Sequence, residues 1–276
     1  MRILLTNDDG IHAEGLAALE RIAAQLSDDV WICAPEVEQS GASRALTLSD
    51  PLRIRELDSR RFAVSGTPTD CVLLAVQDLL TDKRPDLVLS GVNRGQNLAE
   101  DVTFSGTVAG ALAGMALRLP AIAFSQALSR FHDSQQALFG TAEAMAPDII
   151  RRLLETGWPE NVVINVNFPD LAADAVTGIE VTHQGFREVG LMHAERRTDL
   201  RGRNYYWMGF RGRPGNPPQG SDLRAVFEGR VSITPLHVDL THNDTVTRLQ
   251  ATFGAPPPVD AAAPRLEEAP EGRADG

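Results

Sequence analysis

The sequence predicts an α/β protein: a Rossmann-like, doubly wound, mostly parallel sheet followed by an extended C-terminal arm. Short, uninterrupted apolar runs such as Ile3, Leu4 and Leu5 recur along the first two-thirds of the chain, as strands buried on both faces require. They alternate with segments whose apolar residues return every three or four positions, as in helices that pack on such a sheet. After His183 this alternation gives way to a stretch rich in Arg and Gly.

Arg2–Thr6 reads as the first strand, Asn7, Asp8, Asp9 and Gly10 as a turn, and Leu16, Leu19, Ile22 and Leu26 as the inner face of a helix. Residues 30–34 form a second strand, followed by a polar loop over 35–44. Short strands are expected at 46–48, 52–57 and 62–64, the last two joined by a turn at Asp58 and Ser59. Thr67, Pro68 and Asp70 spell a helix start, with a capping box and proline at the first helical position. Residues 86–90 are a buried strand that empties into a Gly- and Asn-rich connection, GVNRGQNLAEDVTFSG, and a small-residue helix begins near Thr107. A strand at 121–124, a helix over 134–154 bent at Pro147, and a strand at 162–166 complete a core spanning residues 1–184. Residues 185–254 read as an oligomerisation arm, with the aromatic run Tyr205, Tyr206 and Trp207, a returning strand at 231–235 and a helix capped by Asn243. The Pro-, Ala- and Glu-rich tail, 255–276, is expected to be disordered.

Composition narrows the function. The 276 residues are 43% hydrophobic and contain no apolar run long enough to span a membrane or serve as a signal peptide, so a cytoplasmic location is expected. Cys33 and Cys71 each sit in an apolar run and read as buried, reduced thiols. The net charge is −11, of which the tail contributes −3 through five acids and two arginines. The remaining −8 argues against a nucleic-acid surface and requires a local positive device, such as a metal ion, for any anionic substrate.

Four loops that follow strands or open helices converge in such a sheet: Asn7 to Gly10, Gln39 to Ser43, Ser90 to Asn97, and Phe104 to Gly110. They bring carboxylates, hydroxyls, carboxamides and free N–H groups, a hard-oxygen set that selects Mg²⁺, Mn²⁺ or Ca²⁺ over zinc. Ser105, Gly106 and Thr107 at a helix N-terminus suit a phosphate, with Asn97 donating from the side. Each piece also has a structural reading: turn formation for the acids and asparagines, capping for Ser105 to Thr107 and for Thr67 to Asp70. The convergence of four such loops favours metal-assisted phosphoester hydrolysis, with Asp8 and Asp9 as catalytic residues; a non-catalytic nucleotide or metal sensor is the alternative. Adjacent acids do not match the spaced pair of dehalogenase-like phosphatases, zinc deacetylases need histidine ligands, and NDDGIHAEG lacks the dinucleotide-binding glycines.

The blocks MRILLTNDDG, APEVEQSGAS, GTPTDCV, SGVNRGQN, DVTFSGTVAGA, INVNFP and SITPLHVDLT together resemble the SurE family of stationary-phase survival proteins over about residues 1–253. The resemblance implies a metal-dependent nucleotidase acting on nucleoside 5′- and 3′-monophosphates, with polyphosphate as a further substrate to test. It implies one divalent ion per subunit, held by Asp8, Asp9, Ser40 and Asn93, and a homodimer or tetramer built through the late arm. Two departures bear on substrate preference: Glu36 and Glu38 replace a more basic or polar run, and Phe104 stands where Tyr is frequent.

Overall fold

The computed structural model describes residues 1–128, 138–187, 192–210 and 215–254. In chain order these form β1 (Arg2–Thr6), α1 (Glu14–Ala24), β2 (Asp29–Pro35), β3 (Ile54–Asp58), β4 (Arg61–Val64) and α2 (Pro68–Leu74), which continues as a π-helical turn, Ala75–Leu79. Then follow β5 (Leu87–Arg94), a 3-10 turn at Ala99–Thr103, α3 (Gly106–Ala116), β6 (Ala121–Gln126), α4 (Gly140–Thr156), β7 (Val163–Phe168) and β8 (Gly178–Val181). The chain goes on with β9 (Met192–Thr198), β10 (Asn204–Phe210), α5 (Asp222–Phe227), β11 (Arg230–Leu236) and α6 (Asn243–Phe253).

Nine strands make one sheet in the order β3-β4-β2-β1-β5-β6-β7-β11-β8. β4, β2, β1, β5, β6 and β7 are mutually parallel, while β3 and β11 run antiparallel to β4 and β7. Within the parallel group the third, second and first strands are followed by the fourth, fifth and sixth, the Rossmann order, so the winding reverses between β1 and β5. One core packs α1 and α4 against Ile3, Leu5, Leu87, Leu89 and Phe124; the other packs α2 and α3 against Leu4, Val88 and Ala123. This two-sided burial is why the strands read as continuous apolar runs. Among the described residues no helix is long and apolar enough to cross a membrane.

The capping box at Thr67 forms, and the hairpin predicted around Asp58 joins β3 to β4. Both cysteines are buried and free. Residues 46–48 do not pair as a strand, because the Thr47 N–H and hydroxyl bond Asp70 at 3.2 and 2.7 Å instead of a neighbouring strand. β5 runs four residues past the expected end at Ser90, carrying Asn93 into the sheet edge. β8 was not foreseen; it is only four residues long and half exposed. α4 starts at Gly140 within the described residues and continues through the buried Pro147, whereas the expected start at 134–137 lies outside them. The cap of α6 is His242, whose ring accepts from the Thr245 N–H, and not Asn243.

The late segment contains the expected hairpin: β9 and β10 form a separate two-stranded antiparallel sheet. By contact the chain divides into two compact units, Met1–Val238 and Asp239–Gly276; within the second, α6 exposes Val246, Leu249 and Phe253. The expected tail at 255–276 lies outside the described residues.

Candidate active site

The acidic pair sits where β1 leaves the sheet, next to the reversal in strand order. The turn is closed by Asn7, whose side-chain amide donates to the Gly10 carbonyl at 2.9 Å, and Gly10 adopts a φ of 102° that favours glycine. Two backbone bonds fasten this turn to the loop after β2: Ile11 N–H to Pro35 O at 2.8 Å and Gln39 N–H to Asp8 O at 2.7 Å. Asp8 is only 5% exposed, and Asp9 is half-buried.

Helix α3 reaches Asp8 because one of its faces has almost no side chains. A Cβ on Gly114 would meet Val88 at 2.9 Å, one on Gly110 would meet the Ser90 hydroxyl at 2.7 Å, and one on Gly106 would meet Asp8 Cβ at 2.6 Å. This stripe, with a spacing of four, lets α3 ride close over β5 and β6 and past the end of β1 at Thr6, and brings its first turn against the carboxylate. Thr107 is fully buried and donates its hydroxyl to Asp8 Oδ1 at 2.5 Å. Ser105 caps the helix by accepting from the Val108 N–H at 3.0 Å.

Burial pushes the Asp8 carboxyl up to about 6; the Thr107 hydroxyl opposes this and the charge of Asp9 adds to it. Asp9 is also raised, first by burial, with the Arg94 N–H opposing at 3.4 Å and Glu38 reinforcing. Asn7 Oδ1, buried beside the pair, has no hydrogen-bond partner. Two crowded carboxylates and an unpartnered carbonyl oxygen suit a cation, and the donors are all oxygen. Among the described residues no three His, Cys, Asp or Glu side chains gather as a metal cluster, so an ion held by this pair would need neutral oxygens to complete its shell.

A cleft of about 1970 Å³ opens over the pair, and Asp8, Asp9, Ser40, Asn93, Asn97 and Ser105 all line it. The four loops therefore do converge. Ser40 is exposed and donates to Glu38 at 2.8 Å; Asn93 donates its amide to the Gly95 carbonyl at 2.9 Å, which turns its Oδ1 away from that bond. Two expected phosphate donors hold other posts. The Asn97 amide donates to Ser125 at 2.9 Å, and the Thr107 hydroxyl is committed to Asp8.

Sequence reasoning missed the residues that hold these groups. Asn165 and Asn167 on β7 both donate to the Asn97 carbonyl, at 2.9 and 3.0 Å, and Asn167 accepts from the Asn97 N–H at 2.8 Å. Their signal was two asparagines, two residues apart, on one face of an otherwise apolar strand. Asp222 and Arg187, which hold the neighbouring residues 98–101, had none: the first reads as an ordinary acid in a helix start, and the second as part of an arginine-rich arm.

Fold and site together define a Rossmann-like α/β protein with an acidic pair at the strand-order reversal, packed against the first turn of α3. The family model described as Survival protein SurE matches residues 3–190, and the chain belongs to the SurE family. The 5′-nucleotidase SurE of Caulobacter vibrioides (strain NA1000 / CB15N) is 67% identical over 258 residues, covering 94% of this chain and 98% of that protein. That of Parvibaculum lavamentivorans is 56% identical over 254 residues, covering 92% and 91%. The crystal structure of the SurE protein from Aquifex aeolicus superposes with a TM-score of 0.78 at 38% identity, covering 92% of this chain and all of that one.

Proposed function

We propose that this chain is a divalent-metal-dependent phosphomonoester hydrolase acting on nucleoside 5′- and 3′-monophosphates. The observation that carries the reading is the buried Asp8 beside the half-buried Asp9, with Asp8 set against the first turn of α3 and both acids lining one cleft. The relatives named 5′-nucleotidase SurE support the substrate class. Asp8, Asp9, Ser40 and Asn93 would hold the ion, which supplies Lewis-acid polarisation of a phosphoryl oxygen and activates water.

The remaining roles belong to the chain itself. The start of α3 offers the Ser105 hydroxyl and the Gly106 backbone N–H to the non-bridging oxygens, whose charge redistributes as the ester bond breaks, while the Thr107 hydroxyl and backbone N–H are both engaged by Asp8. Thr107 fixes the rotamer of Asp8, and Asn97, which keeps one amide hydrogen after its bond to Ser125, borders the cleft beside the phosphate position. Phe104 and Phe186 are both exposed on the cleft wall and offer aromatic faces to a nucleobase. Polyphosphate, which lacks a base, is the substrate that tests whether these faces matter. The β9–β10 hairpin serves self-association as a dimer or tetramer, since its aromatic residues are exposed and an isolated hairpin is marginal in water.

The test is phosphate release from 5′- and 3′-nucleoside monophosphates and from polyphosphate, with metal removed by chelator and restored as Mg²⁺, Mn²⁺, Co²⁺ or Zn²⁺. Release that needs added metal is expected. Saturable nucleotide binding without release under any metal would make the site a sensor and overturn the reading.

A further inference from the structure

The loop after Asn97 contains a residue in the left-handed region and is bonded from distant parts of the chain. Ala99 is fully buried with a φ of 54°, the left-handed region that a residue with a Cβ enters at a cost. Its N–H donates to Asp222 Oδ2 at 2.7 Å, across 123 residues of chain. Asp222 is fully buried, and its other oxygen accepts from the Gly185 N–H at 2.9 Å and the Leu223 N–H at 2.7 Å. Arg187 grips the next residues. Its guanidinium donates to both oxygens of Asp101 at 2.9 and 2.6 Å and to the Leu98 carbonyl at 3.2 Å, and its backbone N–H donates to Glu100 at 3.2 Å.

We propose that Asp222 and Arg187 are positioning residues: a clasp that holds residues 98–101 in the strained turn and thereby sets Asn97 and Ser105 at the substrate phosphate. The inference rests on the phosphatase reading above. Three features carry it. The backbone N–H of the strained residue is taken by a fully buried carboxylate whose three hydrogen bonds all come from main-chain N–H groups. Asn97 and Ser105 lie on either side of the clasped segment and both line the cleft, whereas Asp222 itself does not touch the acidic pair. And the clasp comes from the two segments that flank the β9–β10 hairpin in sequence, so seating of the arm's base and alignment of the phosphate loop are one event.

The chemistry selects the variants. In Asp222→Asn the amide oxygen can serve Gly185 and Leu223, but the NH₂ then faces the Ala99 N–H, and that bond is lost with little change in volume. In Ala99→Gly the φ of 54° carries no penalty, so the loop keeps its shape with less help. The full chain with Mn²⁺ and a nucleoside 5′-monophosphate is assayed as wild type, Asp222→Asn, Arg187→Gln, Ala99→Gly and the Asp222→Asn/Ala99→Gly double variant. Thermal melting and amide hydrogen exchange across residues 97–101 are recorded in parallel.

Asp222→Asn should lower kcat/KM by about tenfold or more, mainly through KM, because a displaced loop weakens phosphate binding before it alters the acidic pair. The Ala99 amide should exchange faster, and adding Ala99→Gly should restore most of the loss. A folded Asp222→Asn variant with wild-type kinetics and wild-type protection overturns the clasp. So does a loss that Ala99→Gly leaves untouched, since that would be a general stability effect. Should Asp222→Asn not fold, Arg187→Gln decides: unchanged KM and unchanged exchange at 98–101 refute the proposal. If the wild type releases no phosphate with any metal, the functional reading falls, and exchange at Ala99 still judges the clasp.

Discussion

Asp8 joins two demands that a surface aspartate never meets: it is buried, and it lies beside a second carboxylate. Its folded-state value of about 6 is raised above the ordinary aspartate range by burial. In the metal-free protein it therefore contributes stability at low pH, and that contribution is lost as pH rises from the ordinary range through about 6. A cation reverses the balance by favouring the ionised form. Mn²⁺ affinity, measured by calorimetry, should accordingly fall by about tenfold for each pH unit below about 6, as the proton competes for the same oxygen. Asp8→Asn should flatten that dependence and lower kcat by on the order of a hundredfold while leaving the circular dichroism spectrum unchanged. Near-normal turnover at saturating metal would remove Asp8 from the site. The acid pair itself was legible because two carboxylates after an apolar strand are conspicuous. The duty of Thr107 was not, because its hydroxyl reaches Asp8 across 99 residues and nothing local to it announces the bond.

Helix α3 shows how packing makes a site. Gly106, Gly110 and Gly114 face the sheet in one row, and each would need to push aside a neighbour to carry a Cβ. The consequences should differ along the row. Gly110→Ala drives a methyl into Ser90 and Thr6 and should cost about 1–3 kcal/mol of unfolding free energy in urea titration. Gly106→Ala meets Asp8 instead, so its main effect should be weaker metal binding and lower kcat with a smaller loss of stability. Equal stability losses with wild-type metal affinity in Gly106→Ala would show that the first turn does not position Asp8. The sequence indicated a small-residue helix here, yet the reason for the small residues required knowing which strands lay beneath it. The same limit explains residues 46–48: their β propensity is real, but Asp70 offered Thr47 a better hydrogen-bond partner than any strand edge.

For the molecule as a whole, the unusual feature is a hairpin with exposed large side chains on both faces of β10. Tyr205 and Trp207 project to one side of β10 and Tyr206 and Met208 to the other, and all four are exposed. A second copy of the chain is the partner proposed for these faces, so Trp207→Glu should reduce the mass measured by light scattering to that of the 29.8 kDa monomer. A wild-type mass already equal to the monomer would remove the assembly from the account. The α/β class, the positions of most core strands, the capping box at Thr67 and the convergence of four loops were all written in local patterns, because burial periodicity, turn chemistry and capping act over a few residues. The extension of β5 through Asn93, the approach of α3 to Asp8, the asparagine ladder on β7 and the Asp222 bond to Ala99 depend on which distant segments meet. Such contacts are set by how the sheet orders its strands and packs its helices, and a single chain read from end to end does not record them.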